Sequence, residues 1–483
     1  LSTYFDFEKA VVTARVAVSR DGQEIRAENL TDRIDLVKYE ILQNYLSALG
    51  FEGGVLSDEA RILAFFKLDF SRLKTMTNVY LSESLRSKEL KSIGKPVIRV
   101  SYGNNLVQVF LEKSEYSEAE LEQIMAGLRK KRKYILLSGD RIIDLDSDAA
   151  RDLGEAVHDF GMDPKNLYQK KTVSMVTAIK AFSHERSCRV DKYLRDMIEE
   201  IRTFKESEIP VPELNAELRD YQVEGYRWLS ILSKYGMGGI LADDMGLGKT
   251  LQTIALIKSN EVSMPSLVVC PKSLIFNWIS EFARFDGETE VKQIYGTEAQ
   301  RSEIIAAIDY HKKAVYVTSY DSLRNDIGKY TGEFNYGVLD EAQFIKNVHA
   351  LKTKSVKELH VSHRFALTGT PIENSVVDLW SIFDFLMPGF LYSSSEFITR
   401  FESPITREED EEVTAKLKKM VGPFILRRRK EDVLKDLPAK LEEIRFARFE
   451  DEQRKIYDGQ VVHMQQIIAT SDDTSGEDKI RIL

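Results

Sequence analysis

The chain has 483 residues with 68 Lys or Arg against 77 Asp or Glu, a net charge of −9. Hydrophobic residues make up 43% and charged residues 30%, a globular composition that excludes a disordered or collagen-like chain, and no run reaches the roughly 20 apolar residues of a membrane span. The acid excess lies in the second part of the chain, since residues 1–210 hold 33 basic and 34 acidic residues and the remainder 35 and 43; taken alone, this argues against a nucleic-acid binder, whose usual mark is a basic domain.

The N-terminus carries no basic-then-apolar signal segment, and with Leu1 in place of an initiator Met the chain is expected to be cut from a longer one. Residues 1–205 read as α+β. Asp32 opens a helix with Ile34, Val37, Ile41, Leu42 and Tyr45 on one face, and Gly50 is placed to stop it. Hairpins are expected for Val97–Tyr102 with Leu106–Leu111 and for Tyr134–Leu137 with Arg141–Leu145. Between them Ser117–Lys133 reads as a helix. Its terminal run Arg129–Lys133 fits a solvated end favoured by the macrodipole, with phosphate binding as the alternative.

A boundary falls at Glu206–Glu213, where Pro210 and Pro212 interrupt a polar stretch. From there to Thr370, short apolar runs (Gly238–Ala242, Leu267–Cys270, Ala314–Thr318, Gly337–Leu339, Arg364–Leu367) alternate with helical segments. That rhythm predicts an α/β fold, a parallel sheet with helices on both faces. After Pro371 the pattern turns helical and charged, with Arg407–Glu412 and Ser471–Asp478 solvated. Trp228, Trp278 and Trp380 read as core and Cys270 as an inert buried thiol. The two cysteines exclude a disulfide framework within the chain, and His360 with His363 lacks the partners of a metal site.

The chemistry concentrates in Gly238–Thr250, GGILADDMGLGKT. Its end matches the phosphate loop G-x-x-x-x-G-K-[ST], except that Asp243 stands at the first Gly position. Gly246 and Gly248 let backbone N–H groups curl round phosphates, and the following helix adds its positive end. Lys249 would reach the β/γ-phosphates and the Thr250 hydroxyl would ligate Mg²⁺. Asp340 and Glu341 follow the apolar Val338 and Leu339, where the first can hold Mg²⁺ and the second activate water. Gln222, upstream of the loop, could read an adenine edge.

In this order, Leu218–Gln222, Asp243–Thr250, Pro271–Leu274, Asp340–Gln343 and Leu367–Asn374 resemble the first motor lobe of a superfamily II helicase-like ATPase. More narrowly the chain resembles the Swi/Snf family of double-stranded-DNA translocases, through Asp243–Thr250, Asn277 with Trp278, Asp340–Asn347, Leu367–Asn374, Asp378–Leu386 and Arg427–Val433. Gln343 and the region before residue 206 are similar to the bacterial branch, which has its own helicase-associated N-terminal domain.

The resemblance implies a RecA-like ATP-binding lobe over 206–374, preceded by an accessory domain over 1–205. A helical protrusion and brace-like segment over 375–450 and the start of a linker over 451–483 would follow. It implies ATP and Mg²⁺ as cofactors. Arg219 and Gln222 would contact adenine or phosphates, and Asp243, Asp244, Met245, Gly246, Leu247, Gly248, Lys249 and Thr250 would cradle ATP. Asp340 would hold Mg²⁺ through water and Glu341 would position the attacking water. Lys272, Ser273, Thr318, Ser319 and Asn347 would lie towards the backbone of double-stranded DNA, and Thr368 with Gly369 would couple the nucleotide site to that track. Arg427–Lys430 would lie near the brace between lobes, although the residues alone also fit a solvated helix face.

The implied activity is ATP-driven translocation along duplex DNA without strand separation, remodelling protein–DNA complexes in the bacterial cytoplasm, at the nucleoid. Two other readings stay open. The Asp-Glu-Ala-Gln tetrad alone permits an RNA-directed helicase, and 1–205 reads equally as a module that docks a protein partner on a scaffold. The family motor has a second RecA-like lobe bearing arginine fingers, worth ~10³–10⁵ in rate. The chain ends at Asp478–Leu483, where that lobe is expected to begin. It is therefore expected to be a half-motor that binds nucleotide weakly and hydrolyses it slowly.

Overall fold

Thr3, Phe5 and Phe7 point inward and Tyr4, Asp6 and Glu8 outward, so the first residues form a strand with one buried face. This β1 (Ser2–Glu8) pairs antiparallel with β2 (Val11–Arg20), which also carries β3 (Gln23–Ile25) and β4 (Val55–Leu56), and pairs parallel with β5 (Asn78–Leu81). The computed structural model describes residues 1–20, 23–25, 30, 32–94, 96–104, 106–112, 114–138, 140–184, 186–369, 376–433 and 449–470. Two further small sheets follow. One orders β6 (Glu89–Ser92), β10 (Arg141–Asp144) and β9 (Tyr134–Leu137). The other orders β11 (Lys171–Val173), β8 (Leu106–Leu111), β7 (Ile98–Gly103) and β12 (Cys188–Val190). Both expected hairpins are present as β7–β8 and β9–β10.

The helix Arg33–Ala48 starts where Asp32 accepts the Ile34 N–H at 2.9 Å, and Gly50 follows it at φ +97°. Its expected single apolar face is corrected. Leu42 and Leu46 are buried, in the cluster with Phe5, Phe51 and Phe65, whereas Ile34, Val37 and Ile41 stay 49–65% exposed. Only the second half of the helix packs on the sheet. The helix expected to run to Lys133 spans Glu118–Arg129 and opens on a capping box of Ser117 and Glu120. It closes by a Schellman motif, the Lys131 N–H donating to Leu128 O and the Arg132 N–H to Gly127 O. Lys131 occupies the left-handed position, φ +54°, so the basic run turns out of the helix.

The larger sheet is built from β13 (Gly239–Leu241), β14 (Ser266–Cys270), β15 (Val291–Ile294), β16 (Val315–Ser319), β17 (Phe334–Asp340), β18 (Val361–Leu367) and β19 (Ile425–Leu426). Its order is β15-β16-β14-β17-β18-β13-β19, every pair parallel. Every residue of β13, β14 and β16 is buried, as covering by helices on both faces requires. β19 was not anticipated; it returns the chain from the helices of 376–421 to the edge of the sheet beside β13. Residues 370–375, which include part of the expected Leu367–Asn374 motif, lie outside the described residues.

Residues 1–433 form one compact unit and 434–483 a second, in which Asp451–Thr470 is a helix. No described helix is long and apolar enough to cross a membrane. Among the described residues no three His, Cys, Asp or Glu side chains group as metal ligands.

A buried polar cluster joins residues 148–184 to the helices after residue 376. His184 is fully buried, with Nδ1 2.8 Å from Asp152 and Nε2 2.8 Å from Asp159. Asp159 also accepts from the Tyr392 hydroxyl and, at 3.0 Å, from Arg400. Burial alone would lower the His184 pKa, but the hydrogen bonds and charges of the two aspartates outweigh it and leave it raised. Burial would likewise raise Asp159, yet His184, Tyr392 and Arg400 hold it at about 2. The histidine therefore stabilises the fold fully below its unfolded pKa of about 6.5 and loses that contribution as pH rises through its raised folded value. The Asp159 contribution is present above about pH 4 and is lost as pH falls towards 2. Thermal melting of His184→Gln is accordingly expected to be lower than wild type at pH 6 and to lack the wild-type decline above pH 6.5. A wild-type melting temperature that stays level through that interval would count against the imidazolium.

Candidate nucleotide-binding site

The carboxyl ends of the parallel strands bring the candidate residues to one edge of the sheet, where open α/β sheets bind ligands. β13 runs into the loop 242–248, and Lys249 opens the helix Lys249–Ser259. Gly246 and Gly248 adopt φ of +86° and +77°, and a Cβ on Gly248 would collide with the Gln222 amide. The N–H groups of Gly246, Gly248, Lys249 and Thr250 have no acceptor among the described residues. They form a ring of donors at the positive end of an 11-residue helix.

Asp243 departs from the loop pattern, and its side chain does not face this ring. It is fully buried and accepts from Arg428, Nε to Oδ1 at 2.9 Å and Nη2 to Oδ2 at 2.5 Å. Gln252 bridges the pair, accepting from Arg428 at 2.8 Å and donating to Asp243 at 3.3 Å. Arg428 also donates to Tyr221 O. Its neighbours pin the rest of the loop, because the Asp244 N–H donates to Arg428 O and the Lys430 N–H to the Asp244 carboxylate, both at 3.0 Å. Arg428 is therefore a buried clamp on the loop; of the two expectations for Arg427–Lys430, the solvated face does not hold at this residue.

Gln222 is 7% exposed and donates to Leu247 O at 3.2 Å while accepting the Arg219 N–H at 3.0 Å. Both ends of its amide are thus engaged inside the protein, against the loop rather than in an open adenine slot. Arg219 is exposed, as is Met245 at 64%.

The acidic pair ends β17. The Asp340 carboxylate accepts from Trp278 Nε1 at 2.8 Å and from the Glu341 N–H at 3.0 Å, and its carbonyl accepts from the Tyr320 hydroxyl at 2.8 Å. Burial raises the Asp340 pKa against the pull of Trp278, with the Glu341 charge adding to the rise. Lys249 reaches Asp243 O at 2.7 Å; burial depresses its pKa, opposed by the charges of Glu341, Asp243 and Asp340. Glu341 takes φ +51° and accepts from Gln343 Nε2 at 2.8 Å, and Gln343 in turn accepts from the Thr368 hydroxyl at 3.0 Å. Gly369 lies beside Met245. The structure thus brings together Lys249, Asp340, Glu341 and Thr368.

A second recess, of about 620 Å³, opens at the ends of β14 and β16. Lys272, Ser273 and Ser319 line it, together with Phe276, Tyr295 and Phe344. Lys272 lies over the Tyr295 ring and Lys352 over Phe344. The Ser319 hydroxyl accepts the Ser322 N–H at 3.2 Å as a helix cap. Thr318 is corrected: successive strand residues face opposite ways, so while Ser319 reaches the recess, Thr318 is fully buried with its hydroxyl on Ile294 O at 3.3 Å. Asn347 is exposed and caps the next turn, accepting the His349 N–H at 3.0 Å.

Trp278 is core, as expected, but its indole N–H also donates to Asp340, a role that its place in an amphipathic segment does not signal. Gln343 stood inside a recognised motif without a role assigned, and Gln252 lay two residues beyond the phosphate-loop motif. Arg428 stood in the Arg427–Val433 motif, with nothing to single it out from its three basic neighbours. Removing one partner of a buried ion pair costs about 3–5 kcal/mol. Arg428→Ala is therefore expected to lower stability by about that amount in denaturant titrations. Binding of a fluorescent ADP analogue should weaken about tenfold or more, with Arg428→Lys recovering only part of both.

Comparison with known proteins adds family to geometry. Residues 221–482 match the SNF2-related domain and residues 1–212 the bacterial SNF2 helicase associated domain. The chain is 40% identical over 326 residues to the TATA-binding protein-associated factor mot1 of Schizosaccharomyces pombe, a match spanning 59% of this chain and 16% of that protein. It is 41% identical over 249 residues to an uncharacterized ATP-dependent helicase of Mycoplasma genitalium, spanning 50% of this chain and 23% of the relative. The chain thus spans less than a quarter of the length of either relative. Among solved structures, the Sulfolobus solfataricus SWI2/SNF2 ATPase core in complex with dsDNA is 40% identical, with a TM-score of 0.44 over 56% of this chain and 57% of that one. With more than half of its length matched by that domain, the chain belongs to the SNF2-related family, its SNF2-related domain preceded by a bacterial SNF2 helicase associated domain.

Proposed function

We propose that the chain carries the nucleotide-binding half of an ATP-driven double-stranded-DNA translocase that remodels protein–DNA complexes without separating strands. The observation that carries this reading is the convergence of Lys249 with Asp340 and Glu341, and the hydrogen-bonded line from Glu341 through Gln343 to Thr368. The N–H groups of Gly246, Gly248, Lys249 and Thr250, without acceptors among the described residues, fit a polyphosphate, and Lys249 would exchange the Asp243 carbonyl for a phosphate oxygen. The Thr250 hydroxyl and the Asp340 carboxylate are hard oxygen donors that would hold Mg²⁺. When bound, the metal neutralises charge on the phosphate oxygens. Glu341, with one oxygen held by Gln343, keeps the other for orienting water and accepting its proton.

Lys272 and Ser273 offer a cation and a hydroxyl to a phosphate backbone, and Phe276 and Phe344 offer exposed rings beside them. The description of the Mycoplasma relative as an ATP-dependent helicase agrees with the nucleotide reading, and that of the yeast relative as a TATA-binding protein-associated factor suggests a protein client on DNA. In this reading arginines of a second RecA-like lobe complete the site, so residues 1–483 alone are a half-motor that hydrolyses ATP slowly.

In the intact protein with duplex DNA, Glu341→Gln should cut phosphate release by about 10²–10⁴-fold while leaving ADP-analogue affinity nearly unchanged. Unchanged turnover would remove Glu341 from the mechanism. Lys272→Glu should reduce stimulation by duplex DNA without altering turnover in its absence. Stronger stimulation by RNA than by duplex DNA in the same assay would favour an RNA-directed helicase.

A further inference from the structure

A cavity of about 970 Å³ lies far along the chain from the nucleotide loop, between the helices Glu118–Arg129 and Asp148–Asp159. Its floor is aliphatic and thioether: Met125, Leu128, Leu145, Val157 and Met162. Its rim is mainly cationic, the lining carboxylates Asp146 and Glu155 being held by Lys133 and Lys416. Arg129, Lys131 and Arg132 are exposed and make no ion pair with any described residue. The neighbouring cations are already engaged, Lys133 by Asp146 and Arg151 by Asp148. Lys131 also holds the left-handed closing position of the Schellman motif, where glycine would be free of strain. A helix dipole accounts for positive charge at this helix end, but not for an apolar hollow of this size beneath it.

We propose that this cavity docks an acidic amphipathic peptide segment of a partner protein, its carboxylates meeting the three free cations and its apolar side chains the Met and Leu floor. The mode is that of an amphipathic segment laid in a groove, with Met supplying an adaptable surface. Nucleic acid fits less well. Phosphates could use the rim, but no Phe, Tyr or Trp lines the cavity for a base to stack on, and the apolar floor would stay uncovered. Arg400, from the helices after residue 376, also lines the cavity and grips Asp159 from there. An occupant would therefore touch both the N-terminal region and the protrusion. The inference is independent of the ATPase reading.

The test uses residues 1–483 and fluorescence anisotropy. The probes are labelled peptides of roughly 20 residues carrying Leu and Met at helical spacing with Glu elsewhere, the same peptides with Lys for every Glu, and labelled duplex DNA. The acidic peptides are expected to bind and the lysine versions not. The charge reversal Arg129→Glu with Arg132→Glu should weaken the acidic peptides about tenfold or more while leaving the thermal melt and ADP-analogue binding unchanged. Acidic peptides that bind no better than their lysine versions would overturn the proposal. So would a reversal that abolishes DNA binding and spares the peptide.

Discussion

A carboxylate without access to water, Asp243, sits at the entrance of the phosphate loop and is tolerable there only because Arg428 meets it with two hydrogen bonds. The rest of the site follows from that pair. Gln252 spans it from the helix after the loop, Tyr221 supplies a carbonyl from the helix before it, and the backbone of Arg428 and Lys430 fixes Asp244. The loop is thereby held from three directions while its opposite face keeps free N–H groups and two glycines in the left-handed region. An aspartate at the usual glycine position costs the phosphate face nothing, because the side chain turns back into the protein.

The acidic pair is held in a different way. Asp340 and Glu341 are adjacent in sequence but answer to different neighbours, the first to Trp278 and Tyr320, the second to Gln343 and Thr368. The helix Ile275–Phe285 presents Trp278 to Asp340 and, two residues earlier, Phe276 to the recess lined by Lys272. A shift of that helix would be felt by the Asp340 carboxylate and by the recess at once. Thr368 acts on the other carboxylate through a single glutamine amide, whose two ends cannot both be satisfied if either neighbour moves. Two short physical links thus join the strand-end recess and the strand following the nucleotide site to the chemistry.

Much of this was legible in the sequence where burial and motif coincide. β14 and β16 stand out as apolar runs because both of their faces are covered, whereas β18 is fully buried only at Phe365–Leu367. β15 was not visible, since Lys292 and Gln293 are exposed at the sheet edge, and β19 is two residues long. The hairpin β1–β2 carries a period of two, but its turn uses Lys9 and Ala10 at positive φ, so no Asn-Gly or Asp-Gly signal marks it. The loop, the acidic pair and Thr368 could be placed because their chemistry needs fixed residue types at strand ends. Arg428 could not, because a run of four cations shows charge and gives no hint which one is buried. Net charge is a coarse guide for a related reason: an average of −9 hides both Lys272 beside the aromatic recess and Arg129, Lys131 and Arg132, which pair with no described residue.

The clamp on the loop is separated from it by 185 positions of chain. At ordinary rates of synthesis, roughly 5–20 residues per second, about 10–40 s pass between the two residues leaving the ribosome. Throughout that interval the strand, loop and helix of the phosphate site are available, but the Asp243 charge has no partner and the loop no fixed shape. The clamp on the loop is completed only when the returning segment after residue 424 has been made. Assembly of the site is thereby ordered by the length of the intervening chain.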